Sequence, residues 1–356
     1  MKNIVVPDTP ALDIVNVKKI YSQWQRSGQV KDIVKNLFHP QKKEILALDS
    51  LSLRVDSGEF VAYAGANGAG KSTTIKILSG ILRPTEGQVR VLGLDPAQSR
   101  MQLMKRIGVL FGQRTELWWD HPVLTSFEWK KKVWDIPDEV YRENLEMVTE
   151  LLDLKELLHT FSRELSLGQR MRADLGMLLL HSPEVLFLDE PTLGLDVLAK
   201  RDMIAFLRKI NAERGVTIVV TSHDMDDLEE MARRIILLDH GHLAFDGSFE
   251  DLRRQQGGLS RVRVTLEKEA AALAENQIEL QGLKLAEVKA EGIVREYAFN
   301  QSECSVQNVL RALSGLQGVE DVELRHAPIE EVVANLYRSW KAKDSKEIKG
   351  VETDGA

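Results

Sequence analysis

The sequence predicts an α/β fold built on a mainly parallel sheet, joined to a smaller α+β domain. Three observations carry that prediction. Residues 185–188 and 216–221 are short, almost wholly apolar runs, as expected of strands buried on both faces, and a helical stretch at 199–214 separates them. After about residue 255 the pattern changes to half-exposed alternating strands and amphipathic helices. The chain has 356 residues, 43% of them hydrophobic and 28% charged, enough for two domains with separate cores.

In chain order, residues 14–17 are strand-like, and 47–55 and 59–64 alternate as strands, the second running into a glycine-rich turn. A helical pattern over 72–82, a turn at 84–87 and a strand over 88–92 follow. From about 114 to 182 the chain is mainly helical. Pro137-Asp138-Glu139 opens one helix with acids suited to its positive end. Beyond residue 255, strands are expected at 261–266, 292–300 and 319–325, with helices at 306–313 and 329–340. The domains are therefore 1–255 and 256–340. Residues 341–356 are polar without periodicity and are expected to be a disordered tail.

Charge and composition exclude several classes. Forty-seven basic and fifty-four acidic residues give a net charge of −7, so no general nucleic-acid coat and no nucleic-acid partner is expected. Residues 18–43, expected as an insertion, run the other way, with seven basic residues, one acid and a local net of +6. Within them Ile33, Val34, Leu37 and Phe38 lie at near-helical spacing beside Lys31, Lys35, Lys42 and Lys43. A basic helix resting on an anionic membrane face competes there with a plain solvated loop. The one cysteine, Cys304, can make neither an internal disulfide nor a thiolate zinc site, which points to a reducing cytoplasm. No apolar run approaches the roughly 18 residues of a spanning helix. Any membrane role is therefore expected through a partner.

Two motifs carry chemistry. Gly65-Ala66-Asn67-Gly68-Ala69-Gly70-Lys71-Ser72-Thr73 satisfies G-x-x-x-x-G-K-[ST] between an expected strand and an expected helix. Its glycines let successive N–H groups converge on an anion, and the helix start adds its positive end. Lys71 supplies charge to the β- and γ-phosphates, and the Ser72 hydroxyl suits Mg²⁺. The apolar run 185–188 then delivers Asp189 and Glu190 to a strand end, where α/β proteins bind ligands. Asp189 suits Mg²⁺, and Glu190 suits a general base on the attacking water. Together these motifs predict a P-loop ATPase core, beside the small C-terminal α+β domain.

Leu165-Ser166-Leu167-Gly168-Gln169-Arg170 precedes the carboxylate strand and resembles the signature sequence of ABC ATPases. Gln113 resembles their Q-loop glutamine, Pro191-Thr192-Leu193-Gly194-Leu195-Asp196 their D-loop, and Thr221-Ser222-His223-Asp224 their switch histidine. Residues 12–255 thus resemble an ABC transporter ATP-binding subunit, which implies a P-loop ATPase core with an antiparallel β subdomain and a helical subdomain. The resemblance implies two ATPs sandwiched between head-to-tail subunits, each a second copy of this chain or a related ATPase. Ser166, the Gly168 amide and Gln169 of one chain would complete the γ-phosphate shell around the other chain's Lys71. Gln113 would contact Mg²⁺ or the attacking water, His223 the γ-phosphate, and Asp196 would lie near the dimer seam. Alone, Ser166 would be a helix cap and His223 a structural histidine. The chain departs from the family in having Ala66 where proline is usual and Leu167 where the commonest signature has glycine. The resemblance also implies an adenine-stacking aromatic, for which Tyr21 is the first choice and Phe38 the competitor.

Trp118, Trp119, Trp129 and Trp134 crowd the start of the helical subdomain. With Leu167, this stretch resembles ATP-binding subunits that pair with separate ABC-2-type permeases and are mostly exporters. The resemblance implies a location on the cytoplasmic face of the cell membrane. The rival class, a soluble ABC ATPase acting on ribosomes or DNA, fits less well. It commonly carries two cassettes, or a long coiled coil for which the interval from Lys71 to Ser166 has no room.

Overall fold

The ribbon of β1 (Leu12–Trp24) and β2 (Lys42–Val55) begins the fold. Then come β3 (Phe60–Gly65), α1 (Lys71–Leu78), β4 (Glu86–Val91), α2 (Arg100–Met104) and β5 (Ile107–Phe111). Three helices follow, α3 (Val123–Val133), α4 (Asp138–Leu151) and α5 (Leu167–Leu179). β6 (Val185–Asp189), α6 (Val197–Arg214), β7 (Thr217–Thr221), α7 (Met225–Met231), β8 (Arg234–Asp239) and β9 (His242–Ser248) complete this part. The structure is a computed structural model and describes residues 9–24, 42–112, 114–255, 258–267, 285–314 and 318–351.

β2, β1 and β4 form a three-stranded antiparallel sheet in that order. Its inward residues Leu12, Ile14, Val17, Leu48, Leu51 and Val91 are buried in one core with Ile75 and Leu78 of α1. The other sheet has the order β5-β6-β7-β3-β8-β9, with β5 through β8 parallel. Every residue of 185–188 and 217–221 is buried, as runs covered on both faces require. β6, β7 and β3 are neighbours, so their C-terminal ends present Asp189, Thr221 and Gly65 along one edge. The parallel register sets Asp189 beside Thr221.

Four expectations change. The insertion expected at 18–43 is shorter, because residues 18–24 and 42–43 are paired strand: Ile20 lies opposite Leu46 and Tyr21 opposite Ile45. Cross-strand hydrogen bonding pulls those lysines into the ribbon, where Lys19 Nζ donates to Arg83 O at 2.8 Å. Lys31, Lys35 and Phe38 lie outside the described residues. The helix expected over 72–82 ends at Leu78, where Gly80 turns left-handed at φ 71°.

The chain divides into Met1–Asp246 and Gly247–Ala356, ahead of the boundary expected at residue 255. The cause is α8 (Phe249–Gln255), which packs with α10 (Ile329–Val351) in the second unit. Helix α10 also runs eleven residues past Trp340, through most of the tail expected to be disordered. Lys, Ala and Glu favour helix there even without an apolar stripe. The second unit holds an antiparallel sheet of order β11-β12-β10-β13, made of β10 (Leu259–Leu266), β11 (Ala286–Glu291), β12 (Val294–Asn300) and β13 (Val319–His326). With α9 (Val306–Ser314) it encloses Val262, Val264, Phe299, Cys304, Val309 and Leu313.

Candidate functional site

The loop from β3 to α1 takes the shape its glycines permit. Gly68 adopts φ 83°, and a Cβ there would meet nothing within 4 Å, so the backbone angle alone calls for glycine and the space beside it is open. Gly70 adopts φ 108°, and a Cβ there would lie 2.6 Å from Leu48 Cδ2 and 2.8 Å from Ala47 O. Gly70 is also the N-cap of α1 and gives the helix no side-chain cap, so the first-turn amides of Ser72 and Thr73 remain available to an anion.

Lys71, the first residue of α1, is buried. Its Nζ donates to Gly65 O at 2.6 Å and to Ala66 O at 3.3 Å. Burial pulls the ammonium below the ordinary lysine value, against the opposing attraction of Asp189 and Glu190. A cation taken from water and held by carbonyls alone is suited to an anionic ligand that would replace them.

The carboxylates converge on the same edge. Ser72 Oγ donates to Asp189 Oδ2 at 3.4 Å. Thr221 Oγ1 donates to Asp189 Oδ1 at 2.6 Å and accepts from Glu190 N at 3.2 Å. Glu190 holds φ 57°, a left-handed backbone that is strained in a non-glycine residue. Its Oε1 lies 2.7 Å from His223 Nε2. Lys71, Ser72, Asp189, Glu190 and His223, distant in sequence, thus form one cluster. A hydroxyl beside a carboxylate offers the hard oxygen donors Mg²⁺ takes, so the residues present fit that ion. A cavity of about 160 Å³ opens beside Glu190 and His223, lined also by Thr192, Lys200, Asp224 and Asp227.

Tyr21 reaches α1: its hydroxyl is 3.4 Å from Thr73 Oγ1, and Lys19 Nζ stands 5.3 Å from its ring centre. Its competitor Phe38 lies outside the described residues, as does Gln113.

Ser166 and Gln169 form a capping box at the start of α5. Ser166 Oγ accepts from Gln169 N at 3.3 Å, and Gln169 Oε1 accepts from Ser166 N at 2.9 Å. Within this chain they satisfy each other, and Ser166 remains exposed. A Cβ on Gly168 would lie 3.5 Å from Ala199 Cβ, so the signature turn packs on α6. Asp196 caps α6 through Ala199 N at 2.9 Å. The apolar Val197 and Leu198 that follow are 77% and 70% exposed.

Sequence reasoning missed Thr221 as a site residue. A threonine ending a β-branched strand is ordinary; the available signal was its place two residues before His223, on the strand that would neighbour Asp189.

Residues 48–193 match the profile of the ABC transporter family. Over 226 residues the chain is 30% identical to the methionine import ATP-binding protein MetN of Carboxydothermus hydrogenoformans, covering 62% of this chain and 67% of that one. It is 34% identical over 225 residues to YbhF of Escherichia coli K12, a probable multidrug ABC transporter ATP-binding protein, covering 63% of this chain but only 38% of that longer one. Among solved structures, the dimeric post-hydrolysis state of the ATP-binding cassette MJ0796 with ADP and Pi aligns at TM-score 0.55 and 26% identity, covering 67% of this chain and 98% of that one.

Proposed function

The chain belongs to the ABC transporter ATP-binding family, and from that premise we propose that it powers export through a separate ABC-2-type membrane permease. It is an ATP hydrolase that uses ATP with Mg²⁺. The observation that carries the reading is the convergence of Lys71, Ser72, Asp189, Glu190 and His223 at one end of the parallel sheet.

Each role follows from position. The amides of residues 67–73 bind the phosphates, and Lys71 exchanges the Gly65 and Ala66 carbonyls for phosphate oxygens. Ser72 and Asp189 hold Mg²⁺, which supplies charge neutralisation for the β- and γ-phosphates when bound. Glu190 accepts the proton of the attacking water, and His223, beside it, contacts the γ-phosphate. Tyr21 stacks on the adenine, which its contact with Thr73 supports.

A second copy, or a related ATPase, completes each site. Ser166, the Gly168 amide and Gln169 present an exposed turn for the other chain's nucleotide. The exposed Val197 and Leu198 next to Asp196 favour burial in such a seam. The dimeric state of the MJ0796 cassette supports this arrangement.

The permease contact is assigned to the tryptophan-rich surface. Trp118, Trp119 and Trp129 are 37%, 51% and 40% exposed, whereas Trp134 stacks on His181. Trp118 packs on Trp129 with ring centres 5.0 Å apart, and Arg170 lies over Trp119. Exposed indoles flanked by arginine are the composition of interface hot spots. Among the described residues no helix is long and apolar enough to cross a membrane. The direction rests on the Leu167 signature and this stretch, since MetN is an importer subunit and YbhF a probable multidrug one. Native isolation from membranes tests the reading: a permease should co-purify, and Trp119→Ala with Trp129→Ala should release it. Recovery on ribosomes or nucleic acid with no membrane protein would reject it.

A further inference from the structure

The segment that leaves β5 is gripped from two helices of the helical subdomain. It starts at the carboxylate strand, where Gly112 N donates to Asp189 O at 3.0 Å. Beyond it, Thr115 Oγ1 donates to Asp174 Oδ1 at 2.9 Å, and Glu116 N donates to the same oxygen at 3.0 Å. Asp174 belongs to α5 and is 5% exposed. From the other side, Lys130 of α3, only 2% exposed, donates to Glu116 Oε2 at 3.1 Å. One step further, Trp118 N donates to Ser126 Oγ of α3 at 3.0 Å. Gly112 is thus tied to Asp189, and residues 114–118 lead to the exposed tryptophans with buried polar anchors on the way.

These anchors cost stability. Asp174 sits between Ala173 and Leu175, both fully buried, and burial pushes its carboxyl up to about 6. An apolar side chain of similar size would avoid that desolvation. What the carboxylate adds is geometry: a single oxygen holds a hydroxyl and the next residue's amide together, which fixes the backbone at Thr115 and Glu116.

We propose that Asp174, assisted by Lys130, is a positioning residue that locks Thr115 and Glu116 to the helical subdomain, so that force on the tryptophan surface reaches the strand end at Asp189. The proposal rests on the permease reading above. Rigid hydrogen-bonded connection is what separates it from a merely structural tie, because a structural tie predicts loss of stability without selective loss of coupling.

The test uses the full chain, alone and reconstituted with its co-purified permease in vesicles, and measures ATP turnover. With Asp174→Leu, which removes the accepting oxygen, and Thr115→Val, the basal kcat and KM for ATP of the isolated chain should stay within about twofold of wild type. Stimulation by the permease should fall by roughly fivefold or more, the lower end of ordinary coupling between sites. The double variant should lose little more than Asp174→Leu alone, because either change removes the Thr115–Asp174 bond and only the Leu117 N bond to Thr115 Oγ1 is lost in addition. Wild-type stimulation in both single variants overturns the proposal, as does an equal loss of basal and stimulated turnover. A wild-type chain that its permease does not stimulate overturns the permease reading itself, and the proposal with it. Thr115→Val, at a half-buried position, keeps the test valid should Asp174→Leu fold poorly.

Discussion

Thr221 gives its hydroxyl hydrogen to Asp189 Oδ1 across 2.6 Å, from the strand directly beside it. The Thr221 hydroxyl oxygen in turn accepts the Glu190 amide, so one side chain holds the Asp189 carboxylate and the Glu190 backbone. Thr221→Val keeps the buried shape and removes the hydroxyl. A hydrogen bond to a charged group is worth about 1.5–3 kcal/mol, so turnover should fall roughly 10- to 100-fold, with more Mg²⁺ needed for half-activity. Thr221→Ser should restore most of it. Steady-state ATPase assays across a Mg²⁺ series decide the matter, and equal activity of the valine and serine variants would refute the role.

Glu190 and His223 touch at 2.7 Å, next to a backbone strained at φ 57°. Glu190→Gln should retain ATP binding, favour an ATP-bound dimer and lower hydrolysis by about 10²–10⁴-fold, the usual contribution of a general base. His223→Ala should slow hydrolysis while nucleotide still binds. Single-turnover assays beside equilibrium nucleotide binding separate the two effects. Normal turnover in Glu190→Gln would remove it from the mechanism.

Tyr21 lies against the start of the phosphate-loop helix through Thr73. Base stacking on an aromatic ring is worth about 1–3 kcal/mol when tested by alanine, so Tyr21→Ala should raise the nucleotide Kd by roughly fivefold or more. Tyr21→Trp should bind nearly as wild type. An unchanged Kd in Tyr21→Ala, with weakening in Phe38→Ala, would move the adenine to Phe38.

Asp174 makes stability depend on pH. Its carboxyl is raised to about 6, first by burial and then by Glu116, while the Thr115 hydroxyl, the Glu116 amide and Arg170 pull the other way. An acid raised in the folded state contributes stability that is complete below its unfolded value near 3.8 and is lost as pH rises through about 6. Above pH 7 the ionised group then costs about 3 kcal/mol. Asp174→Asn should therefore be more stable than wild type to urea at pH 7.5, with the difference narrowing by about half at pH 5. A variant less stable at pH 7.5 would contradict the cost of burying this charge.

Much of the site was legible because its motifs are local. Gly65 to Thr73 is a single turn between a strand and a helix, and Asp189-Glu190 ends one apolar run, so spacing alone locates the phosphate loop and the carboxylates. Thr221 was not legible, since its function arises from the register between β6 and β7, which no local pattern encodes. The cap on α5 was legible in Ser166 and Gln169, three residues apart. The true length of the basic insertion was not, because strand pairing between Tyr21 and Ile45 joins segments more than twenty residues apart.

By itself, then, the sequence determined the α/β class, the ATPase family and the candidate phosphate-loop residues, because backbone geometry and charge at those points are set by neighbours along the chain. Tertiary structure alone decided that Tyr21 reaches α1, that three tryptophans face outward while Trp134 stacks on His181, and that Asp174 grips Thr115 and Glu116. Those facts depend on which distant segments pack together, and burial energy is a property of the packed whole rather than of any stretch of chain.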